Sequence, residues 1–338
     1  MIDIRLFQNK TAYKTAARIL AALAAAAFIV SCGGSEDDPP PQPALFQTTV
    51  VFGASLSDTG NVCPTATTPG CPPVPPYASG RFSNGSLWVE VLASRYSAVV
   101  SPSTTGGNNF AYAGARTGTV PGAGPVPGTT ATVPSMVAQL DQYFARFGFV
   151  SSAQTLFVVD GATVGNNISD ALTLSAANPS QATTISTNVL TQAVTDVVTI
   201  VNRLYASGAR HIAVLNSTDI GRTPRVQAIN VVSPGAAAAA TQLSNQFNGA
   251  LAQQIASVRS GSPGLNIYVI DFGALTNEIS AAPASFGFDN VTAPCFNSLV
   301  APPTLCATPN TYVYWDPFHS TAAFNVVLAA RGAAAIGR

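Results

Sequence analysis

The chain reads as one α/β domain built on a mostly parallel sheet, and three observations predict this. Short runs rich in β-branched and aromatic residues alternate with stretches of helical periodicity, and strands separated by helices need crossovers that leave them parallel. With 47% hydrophobic residues in 338, the chain has ample material for a core. No internal repeat and no second composition boundary after residue 45 divide it further.

The strands are read from period and composition. Thr48 to Phe52 is a β-branched and aromatic run that stops at Gly53-Ala54-Ser55, where small polar residues take over, as when a buried strand turns into a helix start. Thr155 to Val159 is short and fully apolar, and His211 to Asn216 and Asn266 to Asp271 complete the set. Between them Leu87 to Tyr96 reads as an amphipathic helix bearing Trp88 and Glu90. Ser135 to Phe147 repeats Met136, Leu140, Tyr143 and Phe144 at helical spacing. Long helices are expected over Thr184–Ser207 and Ala236–Arg259, and a small-residue helix over Ala322–Ile336. Loops are expected at Cys63–Tyr77 (prolines and threonines), Ser101–Gly107, the Gly/Pro/Thr-rich Gly118–Pro134, and Asp160–Asn167.

Formal charge is zero, but both lysines lie before residue 32. From there on, 11 arginines face 14 acids, a net of −3, which gives no basic footprint for nucleic acid. Arg5, Lys10, Lys14 and Arg18 precede an apolar run from Ile19 to Val30, too short to span a bilayer but suited to a signal-peptide core. It ends in Ile29-Val30-Ser31-Cys32, which resembles the lipobox of bacterial lipoproteins; Cys32 would then be the lipidated first residue. The expected organisation is a signal peptide over 1–31, a flexible Pro-rich tether over 32–45 and one domain over 46–338. The protein is therefore expected in a bacterial cell envelope, held on a membrane surface, with the outer membrane favoured over simple secretion. Four cysteines remain, and three pairings are open; Cys63–Cys71 and Cys295–Cys306 are the simplest, each closing a short loop. A zinc site finds neither CxxC spacing nor enough histidines, so no metal is expected.

Candidate chemistry starts from Ser55, at a strand end where α/β sheets open onto ligands. It is either a helix cap or a nucleophile whose own N–H helps hold an oxyanion. Only two histidines could serve as base. His211 begins a strand, at the edge facing away from such sites, and reads as structural. His319 stands three residues after Asp316 in a turn before a helix, so the carboxylate can fix one ring nitrogen and free the other.

F-G-A-S-L-S-D-T-G-N (52–61) resembles block I of the GDSL esterases and lipases of the SGNH hydrolase superfamily, and W-D-P-F-H-S-T (315–321) resembles their block V. G-R-F-S-N-G-S-L-W-V-E, N-F-A-Y-A-G-A, the helix with Phe247-Asn248, and F-G-F-D-N-V-T-A-P-C have counterparts in between. The resemblance implies a flavodoxin-like three-layer α/β/α sandwich with about five parallel strands and no cofactor. It also implies Ser55 as nucleophile, His319 as base and then acid, and Asp316 as the orienting carboxylate. The oxyanion hole would use the N–H groups of Ser55 and Gly114 and an asparagine side chain, Asn166 or alternatively Asn167. Two departures stand out: Ala54 where the family has aspartate, and Asp160-Gly-Ala-Thr-Val-Gly-Asn-Asn-Ile168 where it has G-x-N-D. The expected activity is hydrolysis of carboxylic esters, acyl lipid or short-chain, through an acyl-enzyme. Rival readings are a carbohydrate O-acetyl esterase and an inactive surface-binding lipoprotein of the same fold. No nucleic acid or obligate protein partner is expected.

Overall fold

The computed structural model describes residues 46–118 and 133–337. The signal peptide, Cys32, the tether and most of the Gly118–Pro134 excursion lie outside the described residues. Strands β1 (Thr48–Phe52), β2 (Thr155–Asp160), β3 (His211–Leu215) and β4 (Asn266–Ile270) form one parallel sheet in that order. Helices α1 (Trp88–Ser94), α2 (Met136–Phe147), α3 (Val164–Ala177), α4 (Ala182–Ala206), α5 (Pro224–Val232), α6 (Ala236–Gly261), α7 (Phe272–Ala281) and α8 (Ala322–Ile336) surround it.

Strand side chains alternate between two faces, and each face buries its own helices. Val50 and Phe52, Phe157 and Val159, and Ile212 and Val214 point into a core completed by α2, α3, α4 and α6. Val51, Leu156, Val158, Ala213 and Leu215 point the other way, against Trp88 and Leu92 of α1, Phe272 and Leu275 of α7, and Phe324 and Leu328 of α8. Burying one such side chain stabilises by roughly 1.5–3 kcal/mol, so both layers are needed to hold the sheet. The result is the expected α/β/α sandwich.

Among the described residues the regular sheet has four strands, where about five were expected. The segment 108–112 runs parallel along the free edge of β1: Val51 N donates to Asn108 O, Phe110 N to Val51 O and Tyr112 N to Gly53 O. It stops short of a regular strand because the next ladder donor, Gly53 N, goes to Gln139 Oε1 at 2.9 Å instead of to this segment, while Asn109 holds the segment itself by accepting from Ala111 N and donating to Ser57 O. The chain therefore visits one side of β1 through this segment and the other through β2. That makes the C-terminal end of β1 a topological switch point, where α/β sheets open a crevice.

Most elements lie where periodicity predicted them; α8 matches residue for residue. Asp160–Asn167 is a correction: after a single 3₁₀ turn, Gly161–Thr163, the chain is helical from Val164 onward. Gly165, Asn166 and Asn167 are poor helix formers, and burial of Val164, Ile168 and Ala171 overrides them. Helices α5 and α7 were not anticipated, although Thr223 before Pro224 and Asp271 before Phe272 both cap a first turn.

Two small elements complete the fold. Strand β5 (Asn290–Pro294) starts one, and the hairpin of β6 (Phe296–Asn297) and β7 (Thr304–Leu305) forms the other. Strand β8 (Tyr312–Tyr314) pairs with β5. Both local disulfides are present, Cys63–Cys71 and Cys295–Cys306, the second stapling the hairpin. Closing loops of this size contributes roughly 2–3 kcal/mol each in the chain-entropy model. Replacing Cys295 and Cys306 together by serine is expected to lower unfolding stability by about that much, measured by urea titration against the parent protein.

Candidate active site

Gly53 ends β1, and its backbone is clamped from the side. Its N–H donates to Gln139 Oε1 at 2.9 Å, and Gln139 Nε2 donates back to its carbonyl at 2.9 Å, from a side chain with no exposed surface. A Cβ on residue 53 would lie 2.7 Å from Cβ of Asp160, so only glycine lets β1 and β2 close up here. Ser57 N then donates to Ala54 O, folding the backbone into a turn with Ser55 inside it.

The opposite partner arrives from the last strand. Beyond Tyr314, Asp316 Oδ1 accepts the N–H groups of Phe318 (2.8 Å) and His319 (2.7 Å), a local turn that D-x-x-H spacing permits. Asp316 Oδ2 faces His319 Nδ1 at 2.8 Å, and His319 Nε2 faces Ser55 Oγ at 2.9 Å. The structure thus brings together all three residues of the expected triad, from positions 264 residues apart. Tyr77, not singled out in the sequence, donates its hydroxyl to the same Asp316 Oδ2 at 2.7 Å. It ends the Cys63–Tyr77 loop and packs edge-on against Trp315 and Phe296 beside the Cys295–Cys306 bridge. Burial raises the Asp316 pKa, but the charge of His319 and the hydrogen bonds it receives outweigh that and bring it down to about 2. Burial and the Asp316 charge push the Tyr77 hydroxyl up, so it stays a donor.

The intermediate blocks hold these two turns in register. Ser83 Oγ donates to Ser320 O, and Asn84 Oδ1 accepts Ala322 N. Asn325 Nδ2 donates to Ser86 O, and the Phe82 ring lies 5.2 Å from that of His319. On the other side Asp58 accepts the N–H groups of Gly60, Asn61, Val62 and Ala113. Asn61 Nδ2 donates to Asn109 O and Ala111 O. The polar residues after Ser55 are therefore the fasteners of segment 108–113.

Among the described residues, the N–H groups of Ser55 and Gly114 meet no acceptor. Gly114 needs its left-handed backbone, φ 81°, to turn between Tyr112 and Ala115, and Arg116, paired with Asp170, holds its carbonyl. Asn166 Nδ2 donates to Ala115 O at 2.7 Å and Asn166 lines a crevice shared with Ser55. Asn167 is buried and bonds Thr117 instead, accepting its N–H at 3.1 Å and donating to its Oγ1 at 3.0 Å. His211 is far from this end, bonded to Tyr268 Oη at 2.8 Å at the start of β3. The crevice holds about 600 Å³ including its open mouth, and its walls are mostly apolar: Leu56, Ile220, Phe272, Phe318 and Phe324 among them.

Ala54 also lines this crevice, as does Asp160. The carboxylate missing at position 54 thus has a counterpart on the next strand, where Asp160 accepts from Ser57 Oγ at 2.7 Å, itself bonded by Trp88 Nε1. Burial raises the Asp160 pKa to about 6, against the hydrogen bonds from Ser57 and Ala162.

The model of the GDSL-like lipase/acylhydrolase family matches residues 49–331. The chain belongs to this family. At family level it is a hydrolase or acyl-transfer enzyme acting on esters. A GDSL esterase/lipase of Arabidopsis thaliana is 26% identical over 317 residues, covering 83% of this chain and 85% of the relative. Another from the same plant is 31% identical over 141 residues, a match confined to 38% of either chain. The phosphatidylcholine-sterol acyltransferase of Aeromonas hydrophila is 24% identical over 279 residues, covering 82% of this chain and 70% of that one.

The two carboxylates act oppositely on stability. Asp316, with its pKa lowered from 3.8 to about 2, contributes stability above pH 4 that is lost as pH falls through 2. Asp160, raised from 3.8 to about 6, contributes stability below pH 4 that is lost as pH rises through 6, on the order of 3 kcal/mol. Denaturant titrations at pH 4 and pH 7 are expected to show this loss in the parent protein and a flatter profile in Asp160→Asn. Identical profiles would mean that Asp160 does not titrate in that window.

Proposed function

We propose that the protein hydrolyses carboxylic esters through an acyl-enzyme on Ser55. The observation that carries this reading is the continuous chain Ser55 Oγ, His319 Nε2, His319 Nδ1, Asp316 Oδ2, with links of 2.9 and 2.8 Å. Ser55 Oγ attacks the ester carbonyl while His319 Nε2 takes its proton. Asp316, ionised at any pH well above 2, fixes the imidazole with Nδ1–H toward itself and stabilises the imidazolium. His319 then gives the proton to the leaving alcohol, and repeats the cycle with water to release the acid. The N–H groups of Ser55 and Gly114, without an acceptor among the described residues, and Asn166 Nδ2 are the proposed oxyanion donors; each such donor is worth about 3–4 kcal/mol in the transition state.

An acyl lipid is the preferred substrate, since the crevice beside Ser55 is walled by aliphatic and aromatic side chains. The name of the Aeromonas hydrophila relative adds transfer of the acyl group to an alcohol, which the same intermediate allows with the alcohol in place of water. Lipidation of Cys32, with attachment to a membrane of the bacterial cell envelope, is part of the same proposal: it would keep the crevice next to its substrate.

Turnover of p-nitrophenyl esters from acetate to palmitate by the wild type and Ser55→Ala tests the reading. The wild type is expected to exceed Ser55→Ala by at least 10³-fold on its best ester. Equal rates for the two proteins would sink it, and a strict preference for acetate would favour the carbohydrate O-acetyl esterase alternative.

Replacing Tyr77 by phenylalanine is expected to lower kcat about tenfold with KM little changed, because a hydrogen bond to the charged Asp316 is lost at the orienting group.

A further inference from the structure

Two elements rise from the wall of the crevice and end in bare apolar side chains. Helix α5 is capped by Thr223, which lines the crevice, and its Arg225 N donates to Pro317 O at 2.8 Å. The β6–β7 hairpin is rooted just before the same turn: Cys295 N donates to Tyr314 O at 3.0 Å and Phe296 N to Trp315 O at 2.6 Å. The two roots thus grip the backbone on either side of Asp316. Helix α5 also packs beside β5, the strand that runs into the hairpin. Away from these roots, Val231 and Val232 are 80% and 83% exposed, and Ile229, Leu299, Val300 and Leu305 are exposed as well.

Single exposed apolar residues are ordinary on any protein, but six on two neighbouring elements beside the candidate active site mark a surface that something covers. The surrounding sequence indicates what. Neither 226–258 nor 290–315 contains a charged residue or a histidine, so both tips can leave water without stripping a charge. Charge returns at the root of α5, where Arg222 and Arg225 are exposed; Arg222 pairs with Asp219, and Arg225 has no ion pair among the described residues. Guanidinium groups suit phosphate oxygens. From Arg225 to Val231 the helix rises about 9 Å, close to the roughly 5–10 Å over which interfacial helices bury apolar side chains at the headgroup boundary. A second copy meeting this face with its own would bring no carboxylate for Arg225, since neither stretch has one.

We propose that the end of α5 and the β6–β7 hairpin form a lipid-docking rim: their apolar side chains enter the surface of a phospholipid bilayer, Arg225 meets the phosphates, and the crevice opens onto the membrane. The rim rests on the acyl-lipid reading above and gives it a route. An acyl chain passes from bilayer to crevice without exposing its methylenes to water. Attachment through Cys32 would not orient the crevice in this way, because the chain enters the domain ahead of Thr48, at the end of β1 away from Ser55.

The test compares the full-length protein with Leu299→Asp/Val300→Asp and Val231→Asp/Val232→Asp, so that residues 1–45 are common to all. The substrates are p-nitrophenyl butyrate in solution and 4-methylumbelliferyl palmitate carried in mixed phosphatidylcholine and phosphatidylglycerol vesicles. Each double variant is expected to turn over the vesicle-borne ester at least about tenfold more slowly, with butyrate turnover within about twofold of wild type and an unchanged melting temperature, because carboxylates resist entry into the interface. As a second measurement, Leu299→Trp in a Ser55→Ala background is expected to shift its emission to shorter wavelength when the vesicles are added, while Trp88 and Trp315 stay buried. Wild-type turnover on vesicles by either double variant, or an unshifted emission, overturns the docking rim. Equal loss on both substrates also overturns it, because the residues would then act on the site itself. A wild-type dimer that the variants dissociate, seen by sedimentation equilibrium, overturns it in favour of a second copy. A wild-type butyrate rate no higher than that of Ser55→Ala overturns the hydrolase reading instead, and the emission shift then decides the docking rim by itself.

Discussion

The reactive end of this molecule depends on the 2.9 Å separation between Ser55 Oγ and His319 Nε2. The serine hangs from the end of the first strand, and the histidine from a turn after the last small strand, so neither the sheet ladder nor one helix fixes the distance. A misplacement of 1 Å would break the hydrogen bond, and positioning errors of that size can cost two orders of magnitude in rate. Much of the remaining polar structure near this edge serves to prevent it. Gln139 holds Gly53 by both backbone atoms, and Ser83, Asn84 and Asn325 tie the C-terminal turn to the loop before α1.

These fasteners share a physical logic. They are amides, hydroxyls and one carboxylate, mostly buried, and they bond backbone groups that no helix or ladder satisfies, such as Gly53 N, Ser320 O and the first-turn N–H of Ala322. Asp58 alone satisfies four such N–H groups. Buried backbone polar groups must find partners, so an irregular edge requires side chains that supply them. The fifth position of the sheet shows the same rule. Gln139 takes the ladder donor of Gly53 and Asn109 bonds its own neighbourhood, and the segment stays beside β1 without becoming a strand.

The departure at Ala54 becomes intelligible in this frame. A carboxylate is retained behind the nucleophile turn, but on β2, where Asp160 packs so close to Gly53 that only a glycine fits opposite it. A second acid at position 54 would stand in the same crevice as a carboxyl group already driven toward neutrality by burial. The methyl group of Ala54 avoids that crowding.

The fold class, the four strands of the sheet and most long helices were legible in the sequence, because short apolar or β-branched runs and period-3.6 patterns are local properties of the chain. A strand ending in a small-residue turn and a D-x-x-H spacing raised Ser55, Asp316 and His319 as candidates, and the resemblance of both stretches to the GDSL blocks implied their roles. Tertiary packing brought these three into one hydrogen-bonded line, and it alone revealed Tyr77, Gln139 and Asp160. Each of those three sits in an unremarkable local context, and its meaning comes from what faces it: Asp316, Gly53 and Ser57. Helix α3 was hidden for the opposite reason, since its Gly-Asn-Asn start argues locally against a helix that packing nevertheless imposes. Contacts between residues a hundred or more positions apart leave no periodic trace, so they had to wait for the fold.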